Sequence, residues 1–85
     1  EWEEFMSFFQ EIRPQFIKEL SKRATAKLSS TELRLAMLLR LNLSSKEIAP
    51  LLNISVRSVE IKRYRLRKKM ELEHEDSLVE YILAV

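Results

Sequence analysis

The sequence predicts an all-α fold, and three observations support this. Glycine is absent from the 85 residues and only two prolines occur, so the turn residues of β-hairpins are nearly missing. At three places a serine follows an apolar residue, and a polar residue stands three positions after the serine with an apolar residue next to it, which is the pattern of a helix start. Apolar residues also recur at helical spacing near the N-terminus. A chain of this length holds one modest core.

The N-terminal segment predicts one or two short helices. Its apolar stripe has helical spacing and comprises Trp2, Phe5, Met6, Phe9 and Ile12. Pro14 then opens a second short helix that contains Phe16, Ile17 and Leu20.

Serine caps mark the next three helix starts, near residues 30, 45 and 56. Ser29 and Ser44 each precede a glutamate by three residues, which makes a capping box, whereas Ser55 has the weaker partner Ser58. Each cap contributes about 1 kcal/mol. A last helix is expected from about Asp76, a plausible N-cap, to Val85.

The sequence also predicts where these helices end and which of them are buried. Asn42 and Asn53 stand where a helix must end, because asparagine tolerates the left-handed conformation. The helix over 30–41 is apolar nearly all round and is expected to be buried on several sides. Pro50 lies inside the following helix, so that helix is expected to be short or to tighten at its end.

Residues 44–70 form the predicted helix-turn-helix, because only three residues separate its two helices. Between residues 55 and 70 there are seven basic residues and one acid, whereas the last fifteen residues hold five acids and no lysine or arginine. This segregation indicates a surface that meets a polyanion.

A helical projection of residues 56–70 separates a core side from an outward side. The core side comprises Val56, Val59, Leu66 and Met70, with Arg63 on the same flank. The outward face, expected to meet base edges, comprises Arg57, Ile61, Tyr64, Arg65 and Lys68. The shoulders, expected to meet phosphates, carry Lys62 and Lys69 on one side and Glu60 and Arg67 on the other. Ser45, Lys46 and Ser58 lie at helix N-termini that face a phosphate strand.

Several of these residues have two interpretations. Glu60 accepts from a cytosine amine, or it pairs with Tyr64 or Arg67 one turn on. Tyr64 contacts a base or sugar, or it packs on a neighbouring helix. Arg63 reaches a phosphate, or it anchors Glu32 or Glu47. The basic face as a whole meets double-stranded DNA, or alternatively an acidic protein partner.

Other functions find no support. Cysteine is absent and His74 is the single histidine, so we expect no metal and no cofactor. No nucleophile–base pair or phosphate-cradling loop indicates an enzyme. No apolar run approaches the roughly 20 residues of a membrane span. We therefore expect no membrane contact by this segment and a cytoplasmic location, either free or at the cytoplasmic end of a membrane-anchored regulator. The chain begins with Glu1, which favours a piece of a longer protein.

Four segments resemble the LuxR/GerE family of bacterial DNA-binding domains in order and spacing. They run from Leu28 to Leu33, from Asn42 to Ala49, from Ile54 to Val59 and from Leu66 to Met70. The resemblance covers about residues 28–85. It implies a four-helix domain of a transcriptional regulator, with its third helix in the major groove. It also implies a fourth helix that pairs two copies on a near-palindromic site, here through Leu78, Tyr81, Ile82 and Val85.

The resemblance also implies roles by position. Base reading falls on Glu60, Ile61 and Tyr64. Phosphate contacts fall on Ser45, Lys46, Arg57, Ser58 and Lys68. The sequence departs from the family pattern at five positions: Glu60 replaces a usual lysine, Lys62 a usual histidine, Asn42 and Glu71 usual glycines, and Pro50 a helix former. Glu60 puts the common operator preference in doubt.

The aromatic N-terminal segment, from Trp2 through Phe16, is similar to the segment before the helix-turn-helix in bacterial multidomain sensor-regulators. In those signal-transduction proteins, which include two-component systems, tetratricopeptide or triple-tyrosine sensor regions and a coiled coil precede the DNA-binding domain. Residues 1–27 are accordingly expected to be a connector that packs at least partly on the domain over 28–85, with sensor domains upstream.

Overall fold

The computed structural model describes residues 1–85 and contains six α-helices and no strand. The all-α prediction, with two short helices before a four-helix unit, is confirmed. The helices are α1 (Trp2–Ile12), α2 (Phe16–Arg23), α3 (Ser30–Arg40), α4 (Ser45–Leu52), α5 (Val56–Lys69) and α6 (Leu78–Leu83).

The three predicted serine caps form as the sequence indicates. The Ser29 hydroxyl accepts from the Glu32 amide at 3.1 Å, and the Glu32 carboxylate accepts from the Ser29 amide at 2.8 Å. Ser44 and Glu47 make the same reciprocal pair at the start of α4. Ser55 accepts from the Ser58 amide at 3.0 Å but lacks the return bond, because serine stands where the other two helices have glutamate.

Three residues adopt the left-handed conformation that glycine favours, and none of them is glycine. Asn42 has φ 64° after α3, and Asn53 has φ 58° after α4, which confirms both predicted stops. Glu71 has φ 56° after α5. Asparagine tolerates this region through local hydrogen bonding, whereas glutamate bears the full steric cost of its Cβ. Asn42 and Glu71, the two positions where the resemblance implies glycine, therefore both adopt the conformation that glycine favours.

Helix α4 spans eight residues, as expected for a helix with Pro50 in its second turn. It remains α-helical to Leu52, and the Asn53 amide then donates to the carbonyls of both Ala49 and Pro50. The missing proline N–H removes one bond of the first turn without breaking the helix, since the capping box holds that turn from the side chains.

The start of α6 differs from the prediction. Ser77, not Asp76, is the N-cap, and its hydroxyl accepts from the Glu80 amide at 3.2 Å. The Asp76 carboxylate instead accepts from the Glu73 amide at 3.0 Å and closes the preceding turn. Both residue types cap helices well, and the local turn decides between them.

The core is centred on α3, which contacts α4, α5 and α6. Leu35, Met37 and Leu39 are fully buried, which confirms that this helix is enclosed on several sides. Leu33 is only half-buried, and Leu41 is half-exposed where the helix ends. All sixteen buried apolar residues belong to one cluster, so the helices share a single core.

The N-terminal helices contribute to that same core. The core contains the buried side chains of Phe9, Phe16 and Leu20. The rings of Phe9 and Phe16 pack edge to face, with their centroids 5.3 Å apart. The guanidinium of Arg34 in α3 lies 4.9 Å from the centre of the Trp2 ring. The division at residues 27 and 28 stays a prediction, but α1 and α2 bury side chains in the same core as α3 to α6. No helix is both long and apolar enough to cross a membrane.

Candidate nucleic-acid interface

The turn between α4 and α5 occupies three residues and is held at both ends. Asn53 turns the chain, the Ile54 amide donates to the Ala49 carbonyl at 3.0 Å, and Ser55 caps α5. Ile48 in α4 and Val59 in α5 are fully buried in the common core. The two helices therefore form a rigid helix-turn-helix, and α5 has a fixed inner and outer side.

The inner side of α5 is shorter than predicted. Val59 and Leu66 are fully buried, and Met70 is nearly so. Val56, which the projection places on the same side, is 41% exposed. It lies in the first turn of α5, at the edge of the core. The inner side of α5 therefore begins at Val59.

The outer side of α5 carries the predicted mixture of basic and apolar groups. Ile61 is 43% exposed and Tyr64 is 59% exposed, and Arg57, Arg65 and Lys68 are exposed as well. The Lys68 ammonium lies 5.6 Å from the centre of the Tyr64 ring, within cation–π range. Tyr64 packs on no neighbouring helix, so the second interpretation of this residue is wrong.

A polar bridge joins α4 to α5. The Ser45 hydroxyl donates to the Glu60 carboxylate and accepts from the Arg63 guanidinium at 3.2 Å. Glu60 therefore pairs with Ser45, and neither Tyr64 nor Arg67 is its partner. Arg63 likewise contacts Ser45, and neither Glu32 nor Glu47 anchors it. The bridge holds one acid and one base together at the edge of the basic face.

The remaining predicted phosphate-binding residues lie at helix starts or on a shoulder. Lys46 is exposed in the first turn of α4, and Lys62 is half-exposed on α5. The hydroxyl of Ser58 accepts from that of Ser55 at 3.1 Å in the first turn of α5. At these two helix starts the amides of Glu47 and Ser58 donate to the serine caps, and the other first-turn amides have no partner within their helix, as in anion-binding sites.

Lys69 does not belong to the exposed basic face. Its ammonium contacts the Glu32 carboxylate at 2.7 Å and the Lys27 carbonyl at 2.8 Å. The Lys69 carbonyl accepts from both the amide and the hydroxyl of Thr25, at 2.8 and 3.1 Å. The predicted phosphate role is therefore corrected, since this cation is already paired within the fold. Its shoulder position allowed either role, because a long side chain reaches back to the core rim.

This ion pair perturbs the Glu32 carboxyl, which is nearly buried. Burial opposes its ionisation, but the hydrogen bonds from Lys69 and from the Ser29 amide outweigh that effect and hold the pKa of Glu32 below its ordinary value. Glu32 thus completes the capping box at the start of α3 and is also the counterion of Lys69 in α5.

Arg67 has a structural role that the sequence analysis missed. Its guanidinium donates to the carbonyls of Glu73 and Asp76, both at 2.6 Å, and to that of His74 at 3.3 Å. It thereby fixes the loop between α5 and α6. Its shoulder position gave no hint of these backbone partners, which depend on the path of the following loop.

The four residues predicted for dimerisation are divided by the fold. Leu78 and Ile82 are buried in the core against α3, so they are not at the surface. Tyr81 and Val85 are half-buried, and the Arg23 guanidinium lies 5.7 Å from the centre of the Tyr81 ring. Of the predicted set, only Tyr81 on α6 and Val85 after its end are therefore partly exposed.

No group of three or more histidine, cysteine, aspartate or glutamate residues is placed to hold a metal ion. The exposed chemistry of this unit is thus the basic and apolar face of α5, together with the two helix starts beside it.

Comparison with known proteins agrees with this arrangement. Residues 26–82 match the family described as bacterial regulatory proteins, luxR family. Neither a curated protein nor a solved structure matches the chain significantly. The matched range contains α3 to α5 and nearly all of α6, which together hold the helix-turn-helix and its supporting core. The chain therefore belongs to the luxR family of bacterial regulatory proteins, a family of DNA-binding helix-turn-helix domains of transcriptional regulators.

Proposed function

We propose that this domain binds double-stranded DNA sequence-specifically, with α5 in the major groove, as the output domain of a bacterial transcriptional regulator. The observation that carries the proposal is the outer face of α5, where basic and apolar side chains are exposed while the opposite face is fixed in the core. A B-form major groove admits one helix and offers base edges to its outward face.

Base reading is assigned to the exposed middle of α5. Ile61 suits contact with a thymine methyl, and Tyr64 offers a hydroxyl and a flat ring beside it. Arg57 and Arg65 carry guanidinium groups, which pair with guanine more often than other side chains do. Each good bidentate contact discriminates against a wrong base by about 1–3 kcal/mol.

Phosphate binding is assigned to groups that have no partner of opposite charge within the chain. These are Lys46, Lys62 and Lys68, with the hydroxyl of Ser58. At Ser45 we assign the contact to the backbone amide, since its hydroxyl is engaged by Glu60 and Arg63. Arg63 keeps further N–H donors for a phosphate. Lys69 is left out because Glu32 neutralises it.

Glu60 is the residue in this set that the basic surface does not explain. To read a cytosine amine, its carboxylate must leave Ser45. We propose that it does so only on DNA with cytosine at the matching position, and that elsewhere it disfavours the complex by lying close to the phosphate backbone. Replacement of Glu60 by glutamine is expected to relax the base preference at that one position.

The wider assignments follow from this reading. We propose that the domain binds as a homodimer on a near-palindromic site, that sensor domains precede it in the full-length chain, and that it acts in the cytoplasm, where bacterial DNA is found. No metal and no cofactor is assigned. The family to which the chain belongs consists of regulatory domains, so we assign no catalytic activity.

Selection of bound duplexes from a random pool tests the proposal directly. We expect one enriched motif, with two half-sites if the domain binds as a dimer. The affinity for that motif is then measured against salt by fluorescence anisotropy. The logarithm of the binding constant should fall by about 0.9 per phosphate contact for each decade of salt.

A matched pair of double variants sharpens the test. Lys62→Ala with Lys68→Ala removes two charges assigned to phosphates from α5 and should flatten the salt dependence by about two contacts. Lys18→Ala with Lys22→Ala removes two charges from α2 and should leave it unchanged. If no motif is enriched and both double variants behave alike, the basic face does not read DNA, and an acidic protein partner becomes the better hypothesis.

A further inference from the structure

The exposed large apolar side chains of the domain fall into two groups. Three of the eight lie on α5, the helix proposed to read DNA, and a fourth ends α6. The other four lie on α1, at the end of α3 and on α4, and are 50% to 61% exposed: Phe8, Ile12, Leu41 and Leu51. Single exposed apolar residues are normal, but several that line one depression indicate a binding surface.

The second group lines two adjoining hollows. The first has a volume of about 320 Å³ and lies between α1 and Leu51 of α4. The second has a volume of about 180 Å³ and lies between Ile12 of α1 and Arg40 of α3. Phe5 and Leu41 line both hollows, so the two form one groove along α1, which we call the α1 groove.

The second hollow contains two cations that have no acceptor within the chain. Neither Arg13 nor Arg40 forms an ion pair or a side-chain hydrogen bond. The Nε of Arg40 is buried without a partner, so this guanidinium is partly removed from water. A carboxylate that docks beside it is therefore screened less than on an open surface.

The acids of α1 do not occupy these cations. Glu4 and Glu11 line neither hollow and form no ion pair. Glu1 lines the first hollow, but its carboxylate accepts from the Trp2 amide and caps α1. The α1 groove is thus apolar over most of its length and cationic at one end, and the complementary ligand is apolar with a carboxylate at one end.

We infer that the α1 groove binds an amphipathic helix of a partner protein, which presents two large apolar side chains and a carboxylate on one face. The apolar side chains enter the two hollows, and the carboxylate pairs with Arg13 and Arg40. The eleven residues of α1 span about 16 Å. A helix of about three turns covers that length and presents its anchors at the three- and four-residue spacing of helix-in-groove recognition.

The groove fits a segment of another protein better than it fits a small molecule or a second copy. A small-molecule site buries most of its ligand, whereas the apolar side chains named above are themselves half-exposed. In a second copy, the acid-rich segment over 71–80 keeps its apolar Leu78 in the core, so it does not present acids and apolar groups together. Helix α1 carries both, but the buried Phe9 holds it against its own domain.

The α1 groove is independent of the proposed DNA contacts. It shares no residue with them, and α1 lies outside the range over 26–82 that matches the family. The groove therefore exists only where an N-terminal helix packs on such a domain. It allows the domain to hold a second protein while α5 is on DNA.

Selection from a displayed library of helical peptides tests the inference on the 85-residue chain without DNA, so that its result does not depend on the proposed function. The library is alanine-based, about three turns long and randomised on one face. We expect enriched peptides to combine two large apolar residues with an aspartate or glutamate on that face. Fluorescence anisotropy then measures the dissociation constant of the most enriched peptide.

A matched pair of variants locates the binding surface. Phe8→Glu should raise the dissociation constant of that peptide at least about tenfold, or 1.4 kcal/mol. Ser7→Glu adds the same charge at an exposed position of α1 that lines neither hollow, and it should leave the constant unchanged. Circular dichroism confirms that both variants stay helical.

A charge swap identifies the role of the two arginines. Arg13→Glu with Arg40→Glu should weaken binding of the acidic peptide at least about tenfold. Replacing the acid of the peptide by lysine should restore binding to this variant. Lys18→Glu with Lys27→Glu changes the net charge equally at exposed positions outside the groove and should leave the affinity nearly unchanged. The exposed Arg13→Glu alone repeats the test without altering the partly buried Arg40.

Three results would overturn the inference. The first is a selection that enriches no peptide, or enriches peptides without an acid. The second is an enriched peptide that binds Phe8→Glu as tightly as the wild type, because its site would then lie elsewhere. The third is a wild-type dimer in sedimentation equilibrium that Phe8→Glu dissociates, because a second copy would then fill the groove.

Discussion

Helices α3 and α5 both begin at a serine cap and both contact the core, yet they use their surfaces in opposite ways. Five consecutive residues of α3, from Leu35 to Leu39, are buried, and the residues around its circumference contact other helices. In α5 only Val59 and Leu66 are buried over fourteen residues. Most side chains of α3 are therefore needed for the packing of the fold, whereas most of those on α5 are exposed and are available to a partner outside the chain.

The largest effect expected from this contrast separates stability from binding. Leu39→Ala should lower the free energy of unfolding by about 2–5 kcal/mol, because it opens a cavity at a fully buried site. Ile61→Ala should change it by less than about 0.5 kcal/mol, as at other exposed sites, and should instead weaken DNA binding. Urea denaturation measures the first effect. An equal loss of stability in both variants would mean that Ile61 supports the fold.

Two neighbouring lysines sharpen the comparison within α5. Lys69→Ala should cost about 1–2 kcal/mol of stability, since it leaves the nearly buried Glu32 carboxylate without its counterion, an effect reduced by the partial exposure of Lys69. It should leave the salt dependence of DNA binding nearly unchanged. Lys68→Ala should do the reverse and remove about one phosphate contact from that dependence. Exchanged results would place Lys69 on DNA.

The same ion pair predicts a pH dependence. Because the pKa of Glu32 is lower in the folded state than in the unfolded state, its charge stabilises the fold above the unfolded pKa of about 4.5. That stabilisation is lost as the pH falls through the lower, folded value. The difference in unfolding free energy between the wild type and Glu32→Gln should therefore shrink from pH 7 to pH 3. A difference that stays constant over this range would show that the charge of Glu32 does not stabilise the fold.

The smallest effect concerns the ends of the two helices. Glu71→Gly should raise the unfolding free energy by about 0.5 kcal/mol, because it relieves a left-handed glutamate at the C-terminus of α5 and removes an acid from the negative end of the helix dipole. Asn42→Gly, at the end of α3, should have almost no effect, because asparagine tolerates that conformation. Thermal unfolding compares the two. Equal shifts would mean that Glu71 is not strained.

The sequence predicts those parts of the structure that are decided within a few residues. The serine caps and the asparagine stops are local hydrogen-bond patterns, and both were predicted at the correct positions. The start of α6 was predicted one residue early because Asp76 and Ser77 are both good caps, and a turn closed by Asp76 decides between them.

Contacts between helices could not be predicted from the sequence. The pairs Glu32–Lys69 and Ser45–Glu60, and the loop held by Arg67, join residues that are 37, 15 and six to nine positions apart. Their existence depends on how the helices cross and on where the loop runs. Helical projection alone placed Val56 on the inner side for the same reason, since it does not show where the core ends.

The hydrogen bonds at the end of α5 allow hydrogen exchange to measure how firmly α2 is joined to α5. The amide of Thr25 donates to the Lys69 carbonyl, and the Lys69 ammonium holds the Lys27 carbonyl. The amide proton of Thr25 can exchange with solvent only when the segment between α2 and α3 separates from the last turn of α5. Its exchange rate therefore measures how firmly the N-terminal helices are joined to the helix that presents the basic face, in the free domain and with DNA bound.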